Sequence, residues 1–224
     1  MGSIAIFAGG FGSGKSEVAL NYAIETAHRS TRVVLADLDM VNPWFVSRDL
    51  KEELNQKGII LVAPGGDLSF GDVPNIPAHL LAYVRQDNDM VIDVAGDEVG
   101  SLALGYLSHL LGQRRPLHFN LVVNPYRPFA GDLESIYELR TGLERAARIP
   151  FTGIVSNPNL VEASDLTTIV EGHARVVAYA RALELPVVCL TVEERFYQEL
   201  YPRYGKLLKK IQLYLRPDWL TDVF

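Results

Sequence analysis

Only one cysteine, Cys189, occurs in the 224 residues, so no internal disulfide forms and no Cys-Cys spacing is offered to a metal. The five histidines are scattered without ligand spacing, which removes support for a metallochaperone role. A basic excess is also missing: Lys and Arg number 21 against 27 Asp and Glu, for a formal net charge of −6. Broad attraction to nucleic-acid phosphate is therefore not expected. No apolar run approaches the roughly 18 residues that span a bilayer. The opening Met-Gly-Ser-Ile lacks the charged region, apolar run and cleavage site of a signal peptide, so a cytoplasmic location is expected. Internal repeats, low-complexity tracts and linkers are absent too. What is present is ordinary globular composition, 48% hydrophobic and 21% charged, at a length suited to one α/β domain over residues 1–224.

Short apolar, β-branched runs recur, each closed by Gly, Pro, Asn or Asp: Ile4 to Ala8, Arg32 to Ala36, Ile59 to Ala63, Met90 to Val94, Leu117 to Val123, Phe151 to Ser156 and Val187 to Thr191. Their hydrophobicity is nearly continuous, as in parallel strands covered on both faces. Helical patterns lie between them: Lys15 to His28, a weaker one at Arg48 to Gln56, Pro77 to Gln86, Ser101 to Leu111, Asp132 to Ala147 and Asp165 to Leu183. This alternation predicts a doubly wound, mostly parallel sheet with helices on both faces and a ligand site at the carboxyl ends of the strands. The irregular stretch Pro64 to Pro77 is either a lid or an ordinary crossover.

The first strand runs into Gly9-Gly10-Phe11-Gly12-Ser13-Gly14-Lys15-Ser16, which fits G-x-x-x-x-G-K-S/T and opens directly into a helix. Glycines allow positive φ and bring successive N–H groups onto phosphate oxygens, while the helix dipole adds partial positive charge. Lys15 is placed to reach the β and γ phosphates and Ser16 to ligate magnesium. The nucleotide-binding candidates are thus Gly10, Phe11, Gly12, Ser13, Gly14, Lys15, Ser16 and the adjoining Glu17. Lys15 is also a catalytic candidate.

Two further strand exits carry carboxylates. Met90-Val91-Ile92-Asp93-Val94-Ala95-Gly96 leads an apolar run into Asp-x-x-Gly, where Asp93 can hold magnesium and the Gly96 N–H can sense a γ-phosphate. Val33-Val34-Leu35-Ala36 leads into Asp37-Leu38-Asp39. Alternation points both aspartates the same way, and Asp39, further into the loop, is favoured to orient the attacking water and is also a magnesium candidate.

The phosphate loop, VVLADLD, VIDVAG, VVNPYRPF and GIVSNP occur in the order shown by the MinD/ParA-like (SIMIBI-class) branch of the P-loop NTPases, which the chain resembles over most of its length. The branch also holds signal-recognition GTPases and several metallochaperone ATPases. The resemblance implies that Asp39 positions water, Asp93 supports magnesium and Asn157 contacts the base. One departure stands out. Members carry a lysine early in the loop, K-G-G-x-G-K-S/T, which reaches the phosphates of a dimer partner; here that place is Gly10 followed by Phe11. Arg48 or Arg127, near strand exits, could substitute, although each is also an ordinary surface arginine.

Asn157-Pro158-Asn159-Leu160 lacks the carboxylate that a guanine-reading N-K-x-D motif puts three residues after Asn, and Asn alone can pair with adenine. ATP (or ADP) is favoured over GTP. A shape-filling loop such as Thr191 to Arg195 could add backbone contacts to the base. Leu207, Leu208, Ile211, Tyr214 and Leu215 recur at helical spacing among lysines. A terminal helix docked on the sheet is favoured over one lying on an anionic membrane. The expected function is a magnesium-dependent ATPase switch with a protein partner or a homodimer. A small-molecule kinase or ligase, and a non-hydrolysing assembly module, are the alternatives.

Overall fold

Eight runs of largely apolar residues join in one parallel sheet. They are β1 (Ile4–Ala8), β2 (Val33–Leu38), β3 (Ile59–Val62), β4 (Asp89–Val94), β5 (Leu117–Val123), β6 (Gly153–Ser156), β7 (Val187–Glu193) and β8 (Leu208–Ile211), in the order β3-β2-β4-β1-β5-β6-β7-β8. The computed structural model describes residues 2–38, 48–63 and 78–215. The helices are α1 (Lys15–Ala27), α2 (Arg48–Gln56), α3 (Ala78–Val84), α4 (Glu98–Leu111), α5 (Leu133–Ala147), α6 (Leu166–Ala182) and α7 (Glu194–Tyr204).

The continuous hydrophobicity of the strands has its expected cause, since both sheet faces are covered. Ile4, Ile6, Val34, Ala36, Ile92 and Leu121 pack with residues of α3, α4, α5 and α6 on one side. Ala5, Phe7, Val33, Leu35 and Val91 pack under α1 and α2 on the other. The chain leaves β1 toward β2 on one side and later crosses from β4 to β5 on the other. The loop after β1 therefore stands at the topological switch point, where doubly wound sheets bind ligands.

The terminal helix expected over Leu207 to Leu215 does not form. After α7 the chain turns through Gly205–Leu207 into β8, which pairs with β7 from Leu190↔Leu208 to Glu193↔Ile211. Leu208 and Ile211 are buried while Lys209 and Lys210 face solvent, ion-paired to Glu25 and Glu194 at 2.7 Å each. Charged side chains on an edge strand discourage pairing with another chain. The amphipathic basis for a membrane-lying helix goes with the helix itself, and no helix among the described residues is long and apolar enough to cross a membrane. Thr191 to Arg195 is likewise not a loop: β7 continues to Glu193 and α7 begins at Glu194.

Candidate functional site

The start of α1 differs from those of α4, α5 and α6, and from that of α7, which opens on Glu193 without a side-chain cap. The helices α4, α5 and α6 each open on an aspartate whose carboxylate accepts a backbone N–H: Asp97 from Gly100 at 2.8 Å, Asp132 from Ser135 at 2.8 Å and Asp165 from Thr168 at 2.7 Å. Those bonds hold the carboxyls of Asp132 and Asp165 below their ordinary pKa. In contrast, α1 opens on Gly14 in the left-handed conformation, φ 82°, with no side-chain cap. The positive end of its dipole points into the loop. Ser13 N–H donates to the Gly10 carbonyl at 3.0 Å, closing the loop on itself, and Lys15 lies largely buried behind it.

Four glycines of the site are fixed by what surrounds them. A Cβ at Gly14 would stand 2.3 Å from Asn157 Nδ2, and one at Gly96 would stand 2.8 Å from the Gly9 carbonyl oxygen. Gly96, leaving β4, therefore touches the loop at Gly9. A Cβ at Gly10 would stand 2.7 Å from Phe129 Cβ, and one at Gly12 3.3 Å from Cδ and Nε of Arg127. The absence of a lysine early in the loop has its physical reason here: Phe129 occupies the space into which any side chain at position 10 must go. Phe11 projects from the loop, 72% exposed.

Asp93 is buried at the carboxyl end of β4, and its registered partners are Phe7 on β1 and Asp37 on β2. Paired residues of parallel strands share a face, and Phe7 belongs to the layer beneath α1. Asp37 and Asp93 thus lie side by side on the face that carries Ser16. Carboxylates with a hydroxyl form an oxygen donor set suited to magnesium. Asp39, expected to orient water, lies outside the described residues, as do the stretch Pro64 to Pro77 and the side chain of Arg48.

Asn157, 3% exposed, follows β6 and braces the loop from behind. Its Nδ2 donates to the Ser13 carbonyl at 2.7 Å, and its Oδ1 accepts from the Thr191 hydroxyl at 2.8 Å. Nothing in the sequence marks Thr191 as the second half of this brace; the signal is three-dimensional. Behind them Ser156 Oγ lies 3.0 Å from His173 Nδ1, and the His173 ring meets Tyr204 edge-on. Burial, aided by the Arg203 charge, lowers the His173 pKa.

One sequence expectation changes in character. The Glu17 carboxylate faces away from the loop and accepts the N–H groups of Tyr214 at 2.7 Å and Leu215 at 3.1 Å. Only its backbone remains for a nucleotide. One turn along, Asn21 and Gln212 exchange side-chain to backbone bonds at 2.8 Å each way. Cys189 is a packed side chain whose burial pushes the thiol up to about 12, so almost no thiolate exists at neutral pH.

Neither a protein-family model nor a curated protein sequence matches the chain. Solved structures do. The chloroplast FtsY of Physcomitrella patens is similar with a TM-score of 0.57 at 18% identity, over 85% of this chain and 58% of that one. The cell division protein FtsY of Thermotoga maritima gives 0.54 at 17%, over 86% and 62%. The signal recognition particle receptor FtsY of Elizabethkingia anophelis, in complex with GDP, gives 0.53 at 17%, over 86% and 58%. The chain spans about three-fifths of the length of these proteins. The chain shares the fold of these FtsY structures, a parallel sheet with helices on both faces.

Proposed function

We infer that this chain is a magnesium-dependent ATP-binding switch of the MinD/ParA-like kind, a single domain that hydrolyses ATP slowly and changes its partner surface with the nucleotide. The observation that carries the reading is the start of α1 on a left-handed Gly14 at the end of the glycine-rich loop, where α4, α5 and α6 carry aspartate caps and α7, also without a side-chain cap, opens on the acidic Glu193. A phosphate is the ligand that this start suits. Lys15 would neutralise the β and γ phosphates, Ser16 and Asp93 would hold magnesium, and Asp39 would orient water or share the metal. The metal would polarise the phosphoryl oxygens. Gly96, in contact with the loop, would carry the presence of the γ-phosphate into α4, whose exposed Leu102 and Tyr106 suit a protein partner or a second copy.

ATP is preferred because Leu160 stands where a guanine-reading carboxylate would be, and the nearby Asp165 is occupied in capping α6. GTP is the second reading, favoured by the shared fold with a chain crystallised with GDP. Direct competition between the two nucleotides with magnesium decides between them: ATP should bind at least several-fold tighter, and equal or reversed affinities refute the assignment. Lys15→Ala should weaken triphosphate binding roughly tenfold to a hundredfold, since a charge-assisted phosphate contact is worth about 1.5 to 3 kcal/mol. Unchanged affinity by calorimetry would defeat the site itself.

A further inference from the structure

We propose that Arg127 is a cation acting in cis on the β–γ phosphate bridge of the nucleotide bound by its own chain; this rests on the phosphate-site reading above. The arginine follows β5, the strand beside β1, in a turn held from both sides. Its N–H donates to the Asn124 carbonyl at 3.2 Å, and its carbonyl accepts from Ala130 at 3.0 Å. The preceding Tyr126 is anchored by its hydroxyl to the Thr168 carbonyl at 2.7 Å. Pro128 fixes the next φ. The backbone is thereby committed before the side chain is considered.

From that base the side chain runs across the crest of the phosphate loop. A Cβ at Gly12 would stand 3.3 Å from both Cδ and Nε and 3.6 Å from Cγ of Arg127. The bare Gly12 is what lets the guanidinium lie so close. Its Nε is buried and has no hydrogen-bond partner among the described residues. Arg140 spends its donors on Glu144 and the Leu183 carbonyl and Arg175 on the Gly131 carbonyl, and Arg114, whose buried Nε is also without a partner, gives its terminal nitrogens to the Val84, Gly2 and Asn88 carbonyls. A buried N–H without an acceptor is costly and rare. At the crest of an anion-binding loop, the missing acceptor is a phosphate oxygen.

The chemistry fits that position. Water attacks the γ-phosphorus, the bond to the β–γ bridging oxygen breaks, its electron pair stays on the diphosphate, and the water's proton leaves on the released phosphate. Negative charge accumulates on the bridge as that bond loosens. A planar guanidinium held there stabilises the transition state more than the ground state. Lys15 approaches the phosphates from the helix side of the loop and Arg127 from the side of β5. No second chain is required.

The test compares wild type, Arg127→Ala and Arg127→Lys in single-turnover hydrolysis of magnesium ATP at saturation, with ADP affinity by calorimetry and melting temperature without nucleotide. Arg127→Ala should hydrolyse at least a hundredfold more slowly, with ADP affinity within threefold and melting within about 2 °C of wild type. Arg127→Lys should recover part of the rate. The wild-type rate per chain should not depend on protein concentration. An unchanged rate in Arg127→Ala overturns the inference, and so does an equal loss of ATP and ADP affinity with lowered melting, which marks a packing role. A wild type that binds ATP without hydrolysing it overturns the inference while leaving the binding site standing. A wild type that binds no triphosphate overturns the phosphate-site reading as well.

Discussion

Replacing Asn157 tests whether the phosphate loop is braced from behind. Asn157→Ala removes the bond to the Ser13 carbonyl and the one received from Thr191. Each is worth about 0.5 to 1.5 kcal/mol net, and stranding the buried Ser13 carbonyl adds about 1 to 3 kcal/mol. Thr191 loses less, because its hydroxyl also reaches the Ser156 carbonyl at 3.2 Å. The sum is about 2 to 6 kcal/mol. For a chain of this size each kcal/mol moves the melting temperature by roughly 2 to 4 °C, so a fall of about 4 to 24 °C is expected. Asn157→Asp discriminates further. It keeps the shape but turns an acceptor toward the Ser13 carbonyl, and should be worse than alanine despite being nearly isosteric. Melts followed by circular dichroism without nucleotide read the brace alone, since ligand binding would add its own stabilisation. If Asn157→Asp melts as wild type does, the amide is not the brace.

At the crowded end of the loop, Gly10→Lys should destabilise the protein by about 1 to 3 kcal/mol, because the new Cβ would stand 2.7 Å from Phe129 Cβ. Phe129→Gly should relieve it and Phe129→Ala should not, as alanine keeps the offending atom; equal rescue by both would refute the contact. For His173, burial lowers the folded pKa below its ordinary value of about 6.5. Its neutral form is the one the fold holds, so its contribution is complete above the unfolded value and is lost as pH falls below it toward the lowered folded value. Melting temperature should therefore decline from about pH 6.5 downward, and His173→Gln should flatten that slope. An unchanged slope would assign the effect to other groups.

Much of this arrangement is legible from residue order. The phosphate loop announces itself by glycine spacing between a strand and a helix, and β1 and β5 have the bounds that their apolar runs suggest. Asp93 falls where an apolar run ending in Asp-x-x-Gly places it. The carboxyl end of the chain misleads for a definite reason. Leu208 and Ile211 are three apart, which puts them on one face of a helix but on opposite faces of a strand. Covered on both sides, β8 buries both and imitates a helical stripe. The helix α7 is disguised by Pro202 near its end. The roles of Asn157 and Glu17 were illegible because their partners, Thr191 and the Tyr214 and Leu215 amides, lie far along the chain and become neighbours only through the sheet order.

The contacts that hold residues 209–215 along α1 also have a mechanical meaning. From Lys209 at Glu25, through Gln212 at Asn21, to Tyr214 and Leu215 at Glu17, this strip runs antiparallel to the helix as a seam about 12 Å long. A pull on Leu215 along that line loads the seam in shear, so its bonds share the force instead of opening one at a time. The strain is delivered to the first turn of α1, two residues from Lys15. A tilt of α1 would therefore carry the strip with it, and pulling from a tether beyond residue 215 with and without nucleotide would read whether the two ends of the helix move together.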